Sequence, residues 1–271
     1  GADEFELTSL AGTYTIGGTN PDFTSIADAV NELRIKPISG NVIFNIRTGT
    51  YNEQVSIETI YGVSATNTVT FQPETGASVT MTYEPTSTDN YVVQFHDADY
   101  VTFKNMTFTA TGTDYGHVFD FKDGSNYITL DSNIINGIYI SSTNTNFATL
   151  YSSVNTENDH ITITNNEIYY GSYGMYLYGM NAANLEEACV ISNNTIQDFH
   201  FHGMYIQYFE SLQLSSNEIY AKTTGGNDTQ YGVYAANCDN GSEFTKNRIR
   251  VNATNSNYGL YLKYCDGPAY D

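Results

Sequence analysis

Short stretches in which apolar and polar residues alternate recur along most of the chain. Copies in which an Asn follows the alternation read ITITNNEI from Ile161, CVISNNTI from Cys189, LQLSSNEI from Leu212 and ITLDSNII from Ile128, with looser copies SEFTKNRI from Ser242 and VTFKNMTF from Val101. The sixth position of each copy is occupied by Met106, Asn133, Asn166, Asn194, Asn217 and Asn247. These positions are spaced by about 23 to about 33 residues, a spacing that is typical of solenoid repeats.

Placing the copies in register gives three apolar columns. The first holds Val101, Ile128, Ile161, Cys189, Leu212 and Ser242, the second Phe103, Leu130, Ile163, Ile191, Leu214 and Phe244, and the third Phe108, Ile135, Ile168, Ile196, Ile219 and Ile249. Alternation puts one face of a strand inward, and its recurrence in each rung predicts parallel strands stacked in register. The Asn between the second and third columns is predicted to lie at a corner and to form an amide ladder with its neighbours.

A second strand belongs to each rung. It reads YGMYLYG from Tyr173, HGMYIQYF from His202, YGVYAANC from Tyr231 and YGLYLKYC from Tyr258. Leucine-rich repeats share the apolar–Asn–apolar order. They place a helix where this chain has the second strand, however, and Ile, Phe and Val outnumber Leu in the columns. The sequence therefore predicts an all-β fold, a right-handed parallel β-helix with a short N-terminal capping α-helix.

The N-terminal part predicts that capping helix and carries a family resemblance. FTSIADAV from Phe23 has apolar residues at helical spacing, and the pattern runs to Leu33, before Pro37. The strand–turn–strand segment NVIFNIRTGTYNEQVSI follows, with Gly49, Tyr51 and Glu53 in its turn. Residues 12–57 thus resemble the entry to the pectin-lyase-like superfamily, above all the pectin methylesterases, in which such a helix caps the open end. The predicted division is an N-terminal segment with the helix over residues 1–40 and the β-helix over 41–271.

The catalytic motifs that this resemblance implies are not matched. Pectin methylesterases carry an Asp-Phe-(Ile/Val)-Phe-Gly motif and an Arg followed by Pro-Trp. The nearest stretch here is VFDFKDG around Asp120, and the chain has no Trp. The Asp motifs of polygalacturonases are missing, and no pair of basic residues recurs in a column as a lyase would need. We therefore assign no catalytic residue from the sequence.

Charge narrows the choice of partners. The 271 residues carry a net charge of −20 with only 10 Lys and Arg, which argues against nucleic acid and anionic membranes. No apolar run is long enough for a transmembrane helix, so we expect no membrane insertion. Three Cys residues are an odd number, which argues against a disulfide framework.

A tyrosine column offers the candidate binding site. Two residues after the Gly of each rung stand Tyr176, Tyr205, Tyr234 and Tyr261. Their sequence neighbours are aliphatic and must face the core, so this column is predicted to face outward. Exposed aromatic rings with hydroxyl rims suit sugar rings, which makes carbohydrate the candidate ligand. The alternative is that the stacked rings only stabilise the sheet.

The turn after the second strand is acidic in nearly every rung. The acidic residues are Asp97, Asp99, Asp123, Glu157, Asp159, Glu186, Glu187, Glu210, Asp239, Glu243 and Asp266. Like charges stacked in this way repel, and Ca²⁺ would relieve the repulsion. No complete calcium loop is present, so solvated turns are the other interpretation. No cofactor is required by any motif, and a metal site is left unassigned.

Two smaller groups leave alternatives open. His200 and His202 alternate in FHFHG and, with Glu210, would supply metal ligands, but a further spaced ligand is missing and surface or turn positions explain them. Cys238 and Cys265 each lie six residues after a rung Gly and should stack in neighbouring rungs. They can form a disulfide or simply continue a buried column with Met180 and Phe209.

These observations give two functional hypotheses. The chain resembles the Asn/Thr/Tyr-rich β-helical regions of large Gram-negative surface proteins, including substrates of type 9 secretion. That resemblance implies a non-catalytic, secreted or cell-surface segment acting as adhesin, spacer or glycan-binding module, with the rest of a parent polypeptide as partner. Because YGLYLKYCDGPAYD begins a rung without completing it, we expect a truncated C-terminal end. The alternative is a polysaccharide lyase or glycoside hydrolase, which would need a pair of carboxylates.

Overall fold

Three parallel β-sheets wind around one long apolar core. The computed structural model describes residues 8–154, 156–222 and 229–265. Within these residues one α-helix, α1 (Ile26–Ile35), and one 3₁₀ turn (Thr145–Phe147) accompany the strands. The strands are β1 (Leu10–Ile16), β2 (Ile38–Ile46), β3 (Gly49–Asn52), β4 (Val55–Ile57), β5 (Val69–Pro73), β6 (Val79–Tyr83), β7 (Val93–His96), β8 (Val101–Lys104), β9 (Thr107–Ala110), β10 (Phe119–Lys122), β11 (Thr129–Asp131), β12 (Ile134–Asn136), β13 (Leu150–Ser152), β14 (Thr162–Thr164), β15 (Glu167–Tyr169), β16 (Tyr173–Tyr178), β17 (Glu186–Glu187), β18 (Val190–Ser192), β19 (Thr195–Phe199), β20 (His202–Glu210), β21 (Gln213–Ser215), β22 (Glu218–Ala221), β23 (Gln230–Asp239), β24 (Glu243–Thr245), β25 (Arg248–Arg250) and β26 (Asn257–Lys263).

From β2 onward, each rung contributes one strand to each sheet, and β1 adds a ninth strand to the first sheet. The first sheet runs β1-β2-β5-β8-β11-β14-β18-β21-β24, the second β3-β6-β9-β12-β15-β19-β22-β25, and the third β4-β7-β10-β13-β16-β20-β23-β26, with β17 paired beside β20. Every strand pairing in these sheets is parallel. The chain is a right-handed parallel β-helix, as the column pattern predicted, and no horseshoe of alternating helices and strands is present in the described residues.

The predicted apolar columns are confirmed by the strand register. In the second column Leu130 pairs with Phe103 on one side and with Ile163 on the other, and the third column is aligned in the same way. Their side chains are fully buried at these positions. Near the N-terminus the same stacking is aromatic, because the rings of Phe44, Phe71 and Phe103 lie 4.7 Å apart in succession. The core is therefore a set of like-on-like stacks running along the axis.

The corner between the first and second sheets is an asparagine ladder, as predicted. The Nδ2 of each Asn donates to the Oδ1 of the next, with distances of 3.1, 3.1, 3.0 and 2.9 Å from Asn133 through Asn166, Asn194 and Asn217 to Asn247. The same amides donate to backbone carbonyls of the preceding rung, for example Asn194 to Ile163 at 2.8 Å. The side chain thus supplies the bonds that the bent backbone cannot make for itself.

Helix α1 lies at the N-terminal end and begins three residues later than the pattern suggested. Ser25 caps it by accepting a bond from the Asp28 backbone N–H at 3.0 Å. Glu53, from the turn that carried the family resemblance, accepts from the Ala27 backbone N–H at 2.8 Å. The helix buries Ile26, Ala29, Val30 and Leu33.

The first sheet begins upstream of this helix. Strand β1 pairs with β2, and β2 runs across residue 40, at which the sequence was divided. The two-part division of the chain stays a prediction.

Candidate functional site

The outer face of the third sheet brings the candidate site together. Its central outward column, from the first rung to the last, consists of Ser56, Gln94, Asp120, Tyr151, Tyr176, Tyr205, Tyr234 and Tyr261. The four predicted tyrosines therefore do form one outward column, and Tyr151 extends it by one rung. The column is polar in its first half and aromatic in its second.

The five tyrosines from Tyr151 to Tyr261 form what we call the tyrosine ladder. Their ring centroids are 5.5, 4.8, 4.8 and 5.1 Å apart in succession, with interplanar angles between 3° and 15°. Such short separations exclude rings lying edge to edge in one plane, so the rings overlap in offset stacks. Each ring covers part of its neighbour's face, and solvent meets mainly ring edges and hydroxyl groups. Burial raises the pKa of Tyr176 to about 12, so the phenol stays protonated at neutral pH.

A second ladder, which we call the mixed ladder, runs beside the first. It consists of Tyr173, His202, Tyr231 and Tyr258, with successive centroids 5.0, 4.5 and 4.8 Å apart. Its rings meet those of the tyrosine ladder edge to face, at interplanar angles of 78° to 82° and distances of 5.2 to 5.7 Å. The two ladders therefore hold each other's rings in fixed orientations.

Glycine between the two ladders is required by close packing. A side-chain carbon at Gly203 would lie 2.6 Å from the Gly232 carbonyl oxygen and 2.5 Å from a methyl carbon of Ile219. The backbones of neighbouring rungs approach too closely there for any other residue. The same close approach occurs at Gly174 and Gly232, so it explains the glycine in three of the four copies that read aromatic–Gly–apolar–Tyr.

The first half of the column opens into a cleft of about 340 Å³, which we call the polar cleft. Its walls are loops that bond to one another: Asn90 donates to the Asn146 carbonyl at 3.0 Å and accepts from the His117 backbone N–H at 3.1 Å. The His117 ring donates to the Thr145 carbonyl at 2.8 Å and stacks on Tyr151 at 4.1 Å. Burial lowers the pKa of His117 to about 4, so this histidine is neutral and serves as a fixed wall.

Asp120 forms the floor of the polar cleft. It is 9% exposed, and its Oδ2 accepts from the Gln94 amide at 2.7 Å. Ser56 donates to the Gln94 carbonyl oxygen at 3.2 Å, which fixes the direction of that amide. Burial raises the pKa of Asp120 to about 7, with Lys122 opposing and Asp123 adding to the shift. A carboxyl of this kind carries its proton part of the time at neutral pH and can both donate and accept hydrogen bonds.

Most of the acidic turn residues lie at the surface, as expected. Several accept a bond across rungs, as Asp159 does from the Glu187 backbone N–H at 2.7 Å. Asp266 lies outside the described residues. No group of three or more His, Cys, Asp or Glu side chains suited to a metal ion occurs in the part of the chain that the structure describes. Calcium binding stays a prediction.

Glu186 does not lie in an exposed turn, as the acidic pattern of the sequence predicts, but on the short strand β17. Residues 180–185 leave the sheet in a tight turn closed by the bridge between Asn181 and Asn184, and the chain returns as β17. Glu186 therefore pairs with Phe209 and points inward, 2% exposed, in the column that we had assigned to Met180. It is a buried carboxyl among apolar side chains.

The two histidines of FHFHG are buried rather than exposed. His200 and His202 are 3% and 4% exposed, and His202 is enclosed between the rings of Tyr173 and Tyr231. Glu210 instead accepts a bond from the Asn240 amide. The aromatic stack of the mixed ladder accounts for the position of His202.

Residues 152–269 match the family described as "Right handed beta helix region". A lacto-N-biosidase from Eubacterium ramulus is similar over 94% of this chain and 56% of its own, with a TM-score of 0.52 at 10% identity. The pectin methyl esterase of the rice weevil is similar over 94% of this chain and 88% of its own, with a TM-score of 0.50 at 14% identity.

No curated protein sequence matches this chain. No helix among the described residues is long and apolar enough to cross a bilayer. Both structural relatives bear the names of carbohydrate-active enzymes, and at this identity they bear on the fold alone. Three parallel sheets, an asparagine ladder and these relatives lead to one conclusion: the chain is a parallel β-helix with the pectin-lyase-like fold.

Proposed function

We propose that this β-helix is a non-catalytic glycan-binding module of a secreted or cell-surface bacterial protein, and that it binds a glycan along the outer face of its third sheet. The observation that carries the proposal is the tyrosine ladder, which repeats one phenol at the same outward position in five successive rungs. A repeating ligand suits a repeating surface, because each unit can meet the same group.

The stacked geometry determines how such a glycan would be held. Ring faces overlap within the ladder, so sugar hydroxyls would bond to phenol hydroxyls and pack on ring edges. Tyr205 already donates to Gln207 at 2.6 Å, which leaves its oxygen free to accept from a ligand. The two ladders also pre-order the site, since each ring is held by its neighbours and little side-chain freedom is lost on binding.

Binding to an array of neutral and uronate-containing oligosaccharides tests the proposal, followed by calorimetry on the tightest ligand. Tyr205→Ala and Tyr234→Ala should each weaken binding about tenfold or more, because each removes a central contact. Tyr205→Phe and Tyr234→Phe keep the stack but remove the hydroxyl, and they should also weaken binding.

A matched control lies on the second sheet. Tyr220 bonds to Glu218 at 2.7 Å on strand β22, away from both ladders, so Tyr220→Ala should leave affinity unchanged. Absence of binding across the array, or full affinity in the Tyr205/Tyr234 double variant, would reject this face as the site.

The polar cleft favours a second candidate, a polysaccharide lyase or glycoside hydrolase. Asp120 is a carboxyl with a pKa near neutrality in a walled cleft, which suits general acid–base catalysis. Release of new sugar ends from the array ligands, lost in Asp120→Asn but kept in Tyr205→Phe, would establish this activity. If no ligand is cleaved at any pH between 5 and 9, the non-catalytic proposal stands.

A further inference from the structure

Two cysteines meet at the C-terminal side of the described β-helix. Strands β23 and β26 pair in register, with Ala235 opposite Leu262 and Ala236 opposite Lys263. Two residues further on, this register sets Cys238 opposite Cys265. Both thiols are free, and each lies 3.6 Å from a backbone carbonyl oxygen, Cys238 from that of Ala236 and Cys265 from that of Ala235. Neighbouring strands lie about 4.8 Å apart, and disulfides span Cα separations of about 4.4–6.8 Å.

The two thiols differ in reactivity. Cys238 is 2% exposed and continues the core column of Phe209, whereas Cys265 is half-buried. The neighbouring Cys238 thiol lowers the pKa of Cys265 to about 6, while Cys265 and burial raise the pKa of Cys238. Cys265 is therefore the thiol that gives up its proton more readily, and the thiolate is the nucleophilic form. The third cysteine, Cys189, is buried elsewhere, and burial raises the pKa of its thiol.

The two cysteines lie next to a rung whose apolar side chains are half exposed. Leu260 and Leu262 of β26 are 47% and 49% exposed, whereas Val233 and Ala235 at the same positions of β23 are fully buried. Strand β26 nevertheless carries Tyr258 and Tyr261, the last rings of both ladders. A covalent bond just beyond β26 would fasten a strand whose Leu260 and Leu262 are only half-buried.

We propose that Cys238 and Cys265 are an oxidisable dithiol whose disulfide fastens β26 to β23. The Cys265 thiolate attacks one sulfur of a small-molecule disulfide, breaks its S–S bond and releases one thiolate. Cys238 then loses its proton, attacks the mixed disulfide on Cys265 and releases the second thiolate. The protein's two thiols are oxidised by two electrons, and the small-molecule disulfide is reduced to two thiols. An oxidising medium outside the cell maintains the bond.

Oxidised glutathione is the probe for this reaction. The reduced full chain, treated with oxidised glutathione at pH 7.5, should lose two hydrogens in its intact mass, and peptide mapping should join the peptides of Cys238 and Cys265. Cys238→Ser should stop at the mixed disulfide on Cys265, and the control Cys189→Ser should still form the cross-link. Amide exchange at Leu260 and Leu262 should slow about tenfold or more in the oxidised protein.

Three outcomes would overturn the proposal. They are both thiols remaining free, a stable mixed disulfide in the unaltered protein, and exchange at β26 that is the same before and after oxidation. The unaltered protein alone supplies these readouts, so the result does not depend on how well a cysteine variant folds.

Discussion

Replacing Glu186 by Gln should make the protein progressively more stable than the parent as pH rises. The carboxyl lies among Phe121, Ile163, Leu177 and Phe209, and a small cavity of about 20 Å³ adjoins it. Its Oε2 accepts a bond from the Asn158 backbone N–H, while Oε1 has no hydrogen-bond partner. Burial is the main cause that raises its pKa to about 9, and the negative charges of Asp159 and Glu157 add to it.

The sign and size of the effect follow from proton linkage. In the unfolded chain the Glu186 carboxyl ionises near its ordinary pKa of 4.5, whereas in the fold it keeps its proton until about pH 9. The fold is thus stabilised by the bound proton below pH 4.5, and this stabilisation is lost as pH rises from 4.5 to 9. At about 1.4 kcal/mol per pH unit, the parent should lose about 4 kcal/mol from this group between pH 5 and pH 8. Gln has no proton to lose and can still accept from Asn158.

Urea unfolding at pH 5, 6, 7 and 8 measures the difference. The gap between Glu186→Gln and the parent should widen by about 4 kcal/mol over this range. Glu187→Gln is the matched control, because its side chain is exposed on the same short strand, and its gap from the parent should stay constant. Parallel stability curves for the parent and Glu186→Gln would show that the buried carboxyl ionises without cost.

Three further changes test other parts of the fold. Burial lowers the pKa of His202 to about 3, so the folding stability should fall as pH drops from 6.5 towards 3. His202→Phe keeps the aromatic stack but has no proton to bind. In acid unfolding curves this variant should therefore lose about 3 kcal/mol less stability than the parent between pH 7 and pH 4. Asn194→Ala should cost about 3 kcal/mol or more in urea unfolding, because it leaves buried amides without partners, and the half-buried Asn247→Ala should cost less. If calcium relieves repulsion between the acidic turns, millimolar Ca²⁺ should raise Tm relative to EDTA, and superimposable melting curves would show that it does not.

The repeating parts of this molecule could be predicted from its sequence because the same contact recurs in every rung. Leu130 stacks on Phe103 and Ile163 for the same reason that Asn166 bonds to Asn194, and each copy adds to the signal. The tyrosine ladder is another of these repeating features. The mixed ladder is one too, since an aromatic residue precedes every rung Gly. The aromatic residue before each Gly is visible in the repeats and could have predicted the mixed ladder, whereas the predicted column consists only of the tyrosines after the Gly.

The parts that could not be predicted occur once. Asn90 and Asn146 are brought together across 56 residues by loops of unequal length, and no repeat marks the contact. Asp120 faces the resulting polar cleft, but its pKa depends on walls that the sequence pattern does not describe. Glu186 is a similar case. Residues 180–185 leave the sheet, and where the chain returns it is Glu186 that pairs with Phe209 and points into the core. The repeat pattern therefore predicts which residues stack in columns, whereas the surroundings of Asp120 and Glu186 depend on segments that depart from the pattern.

The two halves of the outer face raise the question of whether one ligand spans both. Asp120 and Tyr205 lie three strands apart in the same column, roughly 14 Å at the usual strand spacing. Side chains at this separation normally contribute independently to folding stability. Asp120→Asn and Tyr205→Phe should therefore add in unfolding free energy whatever the ligand. The effects of the two substitutions on binding free energy need not be additive. A single glycan held in the polar cleft would also be positioned against the tyrosine ladder, so the loss of one contact would weaken the other. Additive stability combined with coupled affinity in the double variant would thus identify a single ligand lying along the whole face, and additive affinity would mean that the polar cleft and the tyrosine ladder act as separate sites.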